Sequence, residues 1–142
     1  MMLVDTNVMI YAHRRDVDRH LEYRAWMEAL IAGPEPYAVS DVALNGLIRV
    51  VTSQRIYKNA TPIQVALSVA ETIRDQPHAH VVSPGAQFWA IFRDLCLKAG
   101  AAGKLVPDAY LAALAIEHGC EFVSTDKDFR RFPGLRWRHP LT

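Results

Sequence analysis

Short apolar segments alternate along the chain with longer segments in which apolar residues recur at helical spacing. The former have the length of buried strands and the latter the length of helices. The predicted strands are residues 2–4, 37–39, 79–82 and 121–125, with a fifth at an edge over residues 135–137. The predicted helices are residues 7–13, 17–32, 40–52, 61–74, 87–98 and 108–118. This alternation predicts an α/β fold.

The order of these elements also predicts the layers of the fold. Strands that are separated by helices are joined by right-handed crossovers, which give a parallel sheet with helices on both faces. We therefore expect a three-layer α/β/α domain with a four- to five-stranded, mainly parallel sheet. The chain has the length of a single domain, over residues 1–142. Phe88, Trp89 and Phe92 have the spacing of a core stripe.

Composition and charge exclude several classes of protein. The chain is 51% hydrophobic and 22% charged, as in soluble globular proteins, and no apolar run approaches the ~20 residues of a membrane span. Cys96 and Cys120 form no CxxC pair, which excludes a disulfide scaffold and an all-cysteine zinc site. Asp5 precedes the basic pair of Arg14 and Arg15, the reverse of a secretory signal. We expect a cytoplasmic protein without a membrane partner.

Four aspartates occupy positions that meet at one edge of the predicted sheet. Asp5 follows the first strand, and Asp108 begins a helix of ~16 Å whose following strand returns over a similar distance. Asp126 and Asp128 therefore come back to the edge where Asp5 lies. Each position is also an ordinary place for a helix cap or an Asx turn, which is the alternative interpretation.

A bound dication would explain why several carboxylates share one pocket. Carboxylates ~4 Å apart repel by ~1 kcal/mol in water and by several-fold more in a partly dry cleft, and a divalent cation reverses the sign of that interaction. Hard oxygen donors without His or Cys indicate Mg²⁺ or Mn²⁺. Such a site favours hydrolysis of a phosphodiester. The residues expected to orient the carboxylates and water are Thr6, Asn7, Ser124 and Thr125.

Three blocks of sequence resemble a known family. The opening LVDTNVMIYA, the helix DAYLAALAIEHG and the ending FVSTDKDFRRFPGLRW are similar to the PIN-domain ribonucleases, and most closely to the VapC toxins of bacterial toxin–antitoxin pairs. The resemblance covers essentially the whole chain in order. It implies a PIN-like fold and a Mg²⁺-dependent endoribonuclease that cleaves RNA. It also implies a homodimer that is inhibited by a small VapB-like antitoxin protein, whose tail lies across the active-site groove.

The family's catalytic acids fall on residues of this chain. Its first acid corresponds to Asp5, its helix-start acid to Asp108 and its strand-end acid to Asp126, and Asp128 occupies a nearby position that is acidic in many relatives. The segment SDVALNGLIRVVT departs from the pattern, because the family usually carries Glu where this chain has Gly46. We expect that the helix backbone at Gly46 approaches a neighbouring element or the substrate, and that one metal, held by Asp5 and Asp108, suffices.

Basic residues near the acids are candidates for RNA binding. Arg130 and Arg131 come directly after the acidic positions, and Arg14 and Arg15 follow the first helix. Arginine suits bidentate contacts with phosphate, so these four side chains are predicted to contact the RNA backbone. The expected substrate is single-stranded or loop RNA, since a duplex cannot enter a cleft of this kind.

Two other functions agree with parts of the sequence. A catalytically silent PIN-like module would bind RNA or a protein tail in the same groove, with Gly46 as a mark of lost activity. A phosphatase-like hydrolase would use an aspartyl nucleophile, but residues 5–7 lack the second acid that such enzymes use as a general acid. An assay with RNA and with a monoester, in the presence and absence of metal, separates the three functions.

Overall fold

The computed structural model describes residues 1–142, and its centre is a five-stranded sheet. The strands are β1 (Met2–Val4), β2 (Tyr37–Val39), β3 (Ala79–Val81), β4 (Glu121–Val123) and β5 (Trp137–Arg138). They lie in the order β3-β2-β1-β4-β5, and every neighbouring pair is parallel. The predicted α/β fold is confirmed, and the carboxyl ends of all strands share one edge.

Six helices connect the strands. They are α1 (Thr6–His13), α2 (His20–Ala32), α3 (Asp41–Val51), α4 (Ile63–Arg74), α5 (Phe88–Ala99) and α6 (Leu105–Glu117), and a 3₁₀ helix over Lys127–Arg131 joins β4 to β5. Helix α1 packs on α2 and α3, and α3 packs on α4, whereas α5 packs on α6. The crossovers from β1 to β3 run one way across the sheet and the crossover from β3 to β4 runs back. Right-handed connections therefore place α1 to α4 on one face and α5 and α6 on the other.

No helix here reaches the length and apolar character that crossing a membrane would demand.

The core lies along both faces of the sheet, and Leu3 and Phe122 of the two adjacent strands β1 and β4 are fully buried. Helix α6 is buried on nearly every side, as its alanine-rich sequence predicts. Because alanine side chains are small, α6 packs closely, and it contacts β4.

Two helices begin elsewhere than the sequence predicts. Helix α6 begins at Leu105 rather than at Asp108, because Gly103 turns the chain with a φ of 57° and Pro107 is tolerated in the first turn. Helix α2 begins at His20 rather than at residue 17, after Arg19 with a left-handed φ of 59°. Asp108 therefore lies within the first turn of α6 and is not its N-cap.

The predicted core stripe on α5 is wrong at one position. Phe88 is buried, with its ring stacked on Phe92 at a centroid distance of 5.7 Å and edge-on to Tyr110 at 4.7 Å. Trp89 is instead 68% exposed. Consecutive residues of a helix point ~100° apart, so Phe88 and Trp89 cannot both face the core.

Candidate active site at the carboxyl edge of the sheet

Asp5 is a buried carboxylate at the end of the central strand. It directly follows β1, is the N-cap of α1 and is only 7% exposed. Its Oδ1 accepts a hydrogen bond of 2.7 Å from the backbone N–H of Thr6, and its Oδ2 accepts one of 2.7 Å from the hydroxyl of Ser124. Burial raises the pKa of Asp5, and these two hydrogen bonds oppose part of that rise. Both oxygens are thus held in fixed directions.

Ser124 joins the ends of β1 and β4 through its hydroxyl group. Strand β4 ends at Val123, two residues before the predicted end, so Ser124 lies in the turn and is fully buried. Its Oγ donates to Asp5 and accepts from Asn7 Nδ2 at 3.1 Å and from the backbone N–H of Asp126 at 3.0 Å. One side chain therefore fixes the positions of two of the four acids.

The other predicted orienting residues have separate partners. Asn7 Oδ1 accepts a hydrogen bond of 3.2 Å from the backbone N–H of Thr125. Thr125 therefore contributes to the network through its main chain. The hydroxyl of Thr6 points away from the carboxylates and donates to the carbonyl oxygen of Ala43 at 2.9 Å. Thr6 acts on Asp5 only through its backbone N–H.

Asp108 lies close enough to the other three acids to be affected by their charges. The pKa of Asp108 is raised to about 6, mainly by burial and further by the charges of Asp5, Asp126 and Asp128, while the charge of Lys104 opposes this rise. Its carboxylate accepts no hydrogen bond from the chain. A helix cap would accept one, so the cap interpretation does not account for Asp108.

Asp126 and Asp128 differ in what their carboxylates do. Asp126 Oδ1 accepts a hydrogen bond of 2.9 Å from the backbone N–H of Asp128 and so caps the 3₁₀ helix. The second oxygen of Asp126 and the whole carboxylate of Asp128 accept none. Asp5 and Asp126 thus serve as local caps, as the alternative interpretation requires. The second oxygen of Asp5 accepts from Ser124 and that of Asp126 accepts no hydrogen bond, and Asp108 and Asp128 cap nothing.

The donor set at this edge suits a hard, largely hydrated dication. No three His, Cys, Asp or Glu side chains of the chain are grouped closely enough to hold one metal ion by themselves. Mg²⁺ usually binds one or two carboxylates and keeps several waters, whereas a zinc or calcium cage needs more protein ligands. Burial is the main cause of the raised pKa values of Asp5 and Asp108, and neighbouring carboxylates add to it; a bound cation would stabilise the charged forms of both groups. Residues Asp5 and Asp108 therefore fit a Mg²⁺ or Mn²⁺ ion completed by water.

Comparison with known proteins identifies the family of this fold and acidic edge. A sequence model of the PIN domain matches residues 2–135. Ribonuclease VapC43 of Mycobacterium tuberculosis is 41% identical over 141 residues, which are 99% of this chain and 96% of that protein. The chain belongs to the VapC branch of the PIN-domain family.

Solved VapC structures share the fold along almost the whole chain. VapC20 of Mycobacterium tuberculosis, described as a toxin that cleaves the sarcin–ricin loop, has a TM-score of 0.68 at 17% identity over 96% of this chain and 99% of that chain. VapBC2 of Rickettsia felis, bound to a DNA fragment of its promoter, has a TM-score of 0.67 at 20% identity over 97% of each chain. Both confirm a PIN fold.

The helix backbone at Gly46 lies against the side chain of Thr6. A Cβ atom at Gly46 would lie 2.9 Å from Thr6 Oγ1 and 3.1 Å from Thr6 Cγ2. The expectation that the helix backbone approaches a neighbouring element here is thus confirmed, and the element is α1. A glutamate at Gly46 would have to displace the Thr6 side chain, which occupies its space.

The four predicted RNA-binding arginines lie in different environments. Arg15, Arg130 and Arg131 are exposed and form no ion pair, and Arg130 lies over the Trp137 ring at 5.3 Å. Arg14 is buried. The arginines that remain accessible to a phosphate are therefore Arg15, Arg130 and Arg131.

Arg14 binds the loop between α3 and α4. Its Nη2 and Nε donate to Asp16 at 2.6 and 3.0 Å, its Nη1 donates to the carbonyl oxygen of Asn59 at 2.8 Å, and its guanidinium lies 3.9 Å from the centre of the Tyr57 ring. Its three nitrogens donate within the protein. This geometry favours a structural role for Arg14 over the predicted contact with RNA.

Lys104 is a residue of this edge that the sequence analysis missed. It is the N-cap residue of α6, is exposed, and its charge acts on Asp108 one helical turn later. The signal was present in the four-residue spacing of Lys104 and Asp108, which places two side chains on one face of a helix. It was missed because the helix was expected to begin at Asp108.

Proposed function

We propose that this chain is a Mg²⁺-dependent endoribonuclease, the toxin of a VapBC-type toxin–antitoxin pair. The observation that carries the proposal is that Asp5, Asp108, Asp126 and Asp128 come together from both ends of the chain, so that each of the other three charges raises the pKa of Asp108. Membership of the VapC branch supports the same reaction, since its relatives are named ribonucleases.

Asp5 and Asp108 would hold the ion. When bound, Mg²⁺ supplies an activated water and neutralises charge on the phosphate. Ser124 and the backbone N–H of Thr6 keep the two oxygens of Asp5 in place, which reduces the reorganisation that binding requires. Asp108 accepts no competing hydrogen bond, so its carboxylate is available.

Asp126 completes the acidic cluster and positions the attacking water with the oxygen that does not cap the 3₁₀ helix. Asp128 assists from the same turn. Arg130, Arg131 and Arg15 would contact the backbone of the RNA, because they are exposed and unpaired. We infer that the substrate is single-stranded or loop RNA, in agreement with the description of VapC20 as a sarcin–ricin loop cleaving toxin.

The test compares the purified wild-type chain with Asp108→Asn and Asp5→Asn on a structured RNA, with Mg²⁺, with Mn²⁺ and with EDTA. We expect cleavage by the wild type with either metal, none with EDTA, and none by either variant. Asp94→Asn is a matched control, because Asp94 is an exposed acid of α5 that pairs with Lys98 at 3.0 Å. Circular dichroism confirms that each variant is folded.

Two outcomes would contradict the proposal. Metal-independent RNA binding without turnover would show a catalytically silent PIN-like module, in which Gly46 reflects loss of activity. Full cleavage by Asp108→Asn in a preparation free of other nucleases would show that the acidic edge is not the active site.

A VapB-like antitoxin is the proposed protein partner, and a homodimer is the proposed assembly. The comparison structure from Rickettsia felis is a VapBC complex, which supports the first. Co-purification of this chain with a co-expressed VapB-like protein tests the first, and light scattering with and without that protein tests the second. Cleavage that persists in the purified complex would contradict inhibition by that partner.

A further inference from the structure

Six of the sixteen lysine and arginine side chains of the chain are paired with an acid. Ion pairs within 4.0 Å hold Arg14, Arg19, Arg24, Arg74, Lys98 and Arg138. Lys104 has no such partner, and it is exposed. A free ammonium group is therefore present at the amino end of α6, the helix that carries Asp108.

The position of Lys104 relative to the acids is set by the fold. Gly103 turns the chain with a φ of 57°, and Lys104 follows as the N-cap of α6, without a side-chain hydrogen bond to the helix. Asp108 comes four residues later, so both side chains lie on the same face of the helix. The ammonium lowers the pKa of Asp108, yet no carboxylate oxygen lies within 4.0 Å of it. Lys104 is thus near the acidic edge without being paired to it.

An acidic edge repels a polyanion. Asp5, Asp108, Asp126 and Asp128 all carry or can carry negative charge, and an RNA strand brings one further charge with each phosphate. Binding therefore requires cations around the acids that are free to pair with phosphate. Lys104 and the arginines of the 3₁₀ helix extend from different elements, α6 and the segment after β4.

We propose that Lys104 binds a backbone phosphate of the RNA beside the bond that is cut. The inference rests on the proposed ribonuclease function and adds a substrate-binding residue to it. Lysine binds phosphate as a point charge, so arginine at this position retains the contact and methionine, of similar length and without charge, removes it.

A purely structural role is the competing explanation. In that case Lys104 only reduces repulsion among the acids, and its loss lowers stability without changing how RNA binds. The two explanations differ in the salt dependence of binding, because each phosphate contact with single-stranded nucleic acid contributes ~0.7 to the slope of log affinity against log salt concentration.

The experiment measures binding of a fluorescent single-stranded RNA in EDTA at several salt concentrations, for the wild type, Lys104→Met, Lys104→Arg and Lys98→Met. We expect Lys104→Met to weaken binding several-fold and to reduce the slope by ~0.7, and Lys104→Arg to behave as the wild type. Lys98→Met is the control, because Lys98 is already paired with Asp94. With Mg²⁺, Lys104→Met should raise KM and leave kcat nearly unchanged.

An unchanged slope and affinity in Lys104→Met would overturn the proposal, and so would a loss of thermal stability with no change in slope. Failure of the wild type to bind RNA would overturn it as well. Failure of the wild type to cleave RNA, with binding and its dependence on Lys104 intact, would instead refute only the proposed function.

Discussion

The hydroxyl of Ser124 donates a hydrogen bond of 2.7 Å to Asp5 Oδ2, across a sequence separation of 119 residues. Both groups are buried, so the bond is made in a low dielectric and leaves the Asp5 carboxylate with little freedom. The same hydroxyl accepts from Asn7 and from the backbone of Asp126. The end of β4 is thereby attached to the end of β1.

Substitution of Ser124 by alanine tests this bond. Ser124→Ala leaves a buried carboxylate with one partner fewer, and we expect it to lower the free energy of unfolding by ~2 kcal/mol and cleavage by ~10- to 100-fold. Urea denaturation and initial cleavage rates measure the two effects. Ser68→Ala, at an exposed position of α4, should change neither. Equal behaviour of the two variants would contradict a role for Ser124.

The close contact between Gly46 and Thr6 predicts a coupled pair of substitutions. Gly46→Ala should cost ~1 kcal/mol or more, since the clash with Thr6 exceeds the gain in helix propensity. In a Thr6→Ala background the atom nearest to a Cβ at position 46 is the Cβ of residue 6, at 3.6 Å, which is an ordinary contact distance. Gly46→Ala should therefore become neutral or stabilising in that background. A double-mutant cycle by chemical denaturation measures the coupling. No coupling would mean that Gly46 is present for another reason.

The raised pKa of Asp108 predicts a pH-dependent stability of the metal-free protein. A folded pKa of about 6 against an unfolded value of 3.8 means that the folded state binds the proton more tightly, so stability falls as pH rises from about 4 to 6. Asp108→Asn removes the carboxylate and with it this fall in stability. In EDTA we expect its melting temperature to exceed that of the wild type at pH 7 and the difference to disappear near pH 4. A constant difference across this range would argue against charge as the cause.

The environment of Arg14 predicts a structural phenotype. Arg14→Met should lower the free energy of unfolding by ~2 kcal/mol or more, because it removes hydrogen bonds to Asp16 and Asn59 from a buried site. Arg15→Met should change stability by less than ~0.5 kcal/mol and reduce RNA affinity and its salt dependence. Thermal melts and RNA titrations separate the two. A stable Arg14→Met protein with weakened RNA binding would contradict the structural role and show that Arg14 contacts RNA.

Topology explains why the acidic edge could be predicted from the sequence. In a parallel sheet every strand ends at the same edge, so Asp5 and Asp126 are expected at that edge once the strands are recognised, and the pairing of β1 with β4 brings them close together. The helix before β4 brings Asp108 to that edge even though it begins three residues earlier than expected. Errors of a few residues at element ends do not change which edge a side chain reaches.

Side-chain partners could not be predicted in the same way. The burial of Arg14, the exposure of Trp89 and the shared hydroxyl of Ser124 depend on packing between segments that are far apart in sequence. Periodicity assigns a residue to a face of its own helix, but it does not show which other element covers that face. The assignment of individual site residues as ligands stays a prediction until metal binding is measured.

The separation of Asp5 from its partners has a consequence for synthesis on the ribosome. Asp5 is translated 119 residues before Ser124, and Asp126 and Asp128 follow Ser124. A polypeptide that is released before residue 124 therefore has neither the hydroxyl that orients Asp5 nor two of the four acids. An unfinished copy of the chain thus lacks the complete acidic edge.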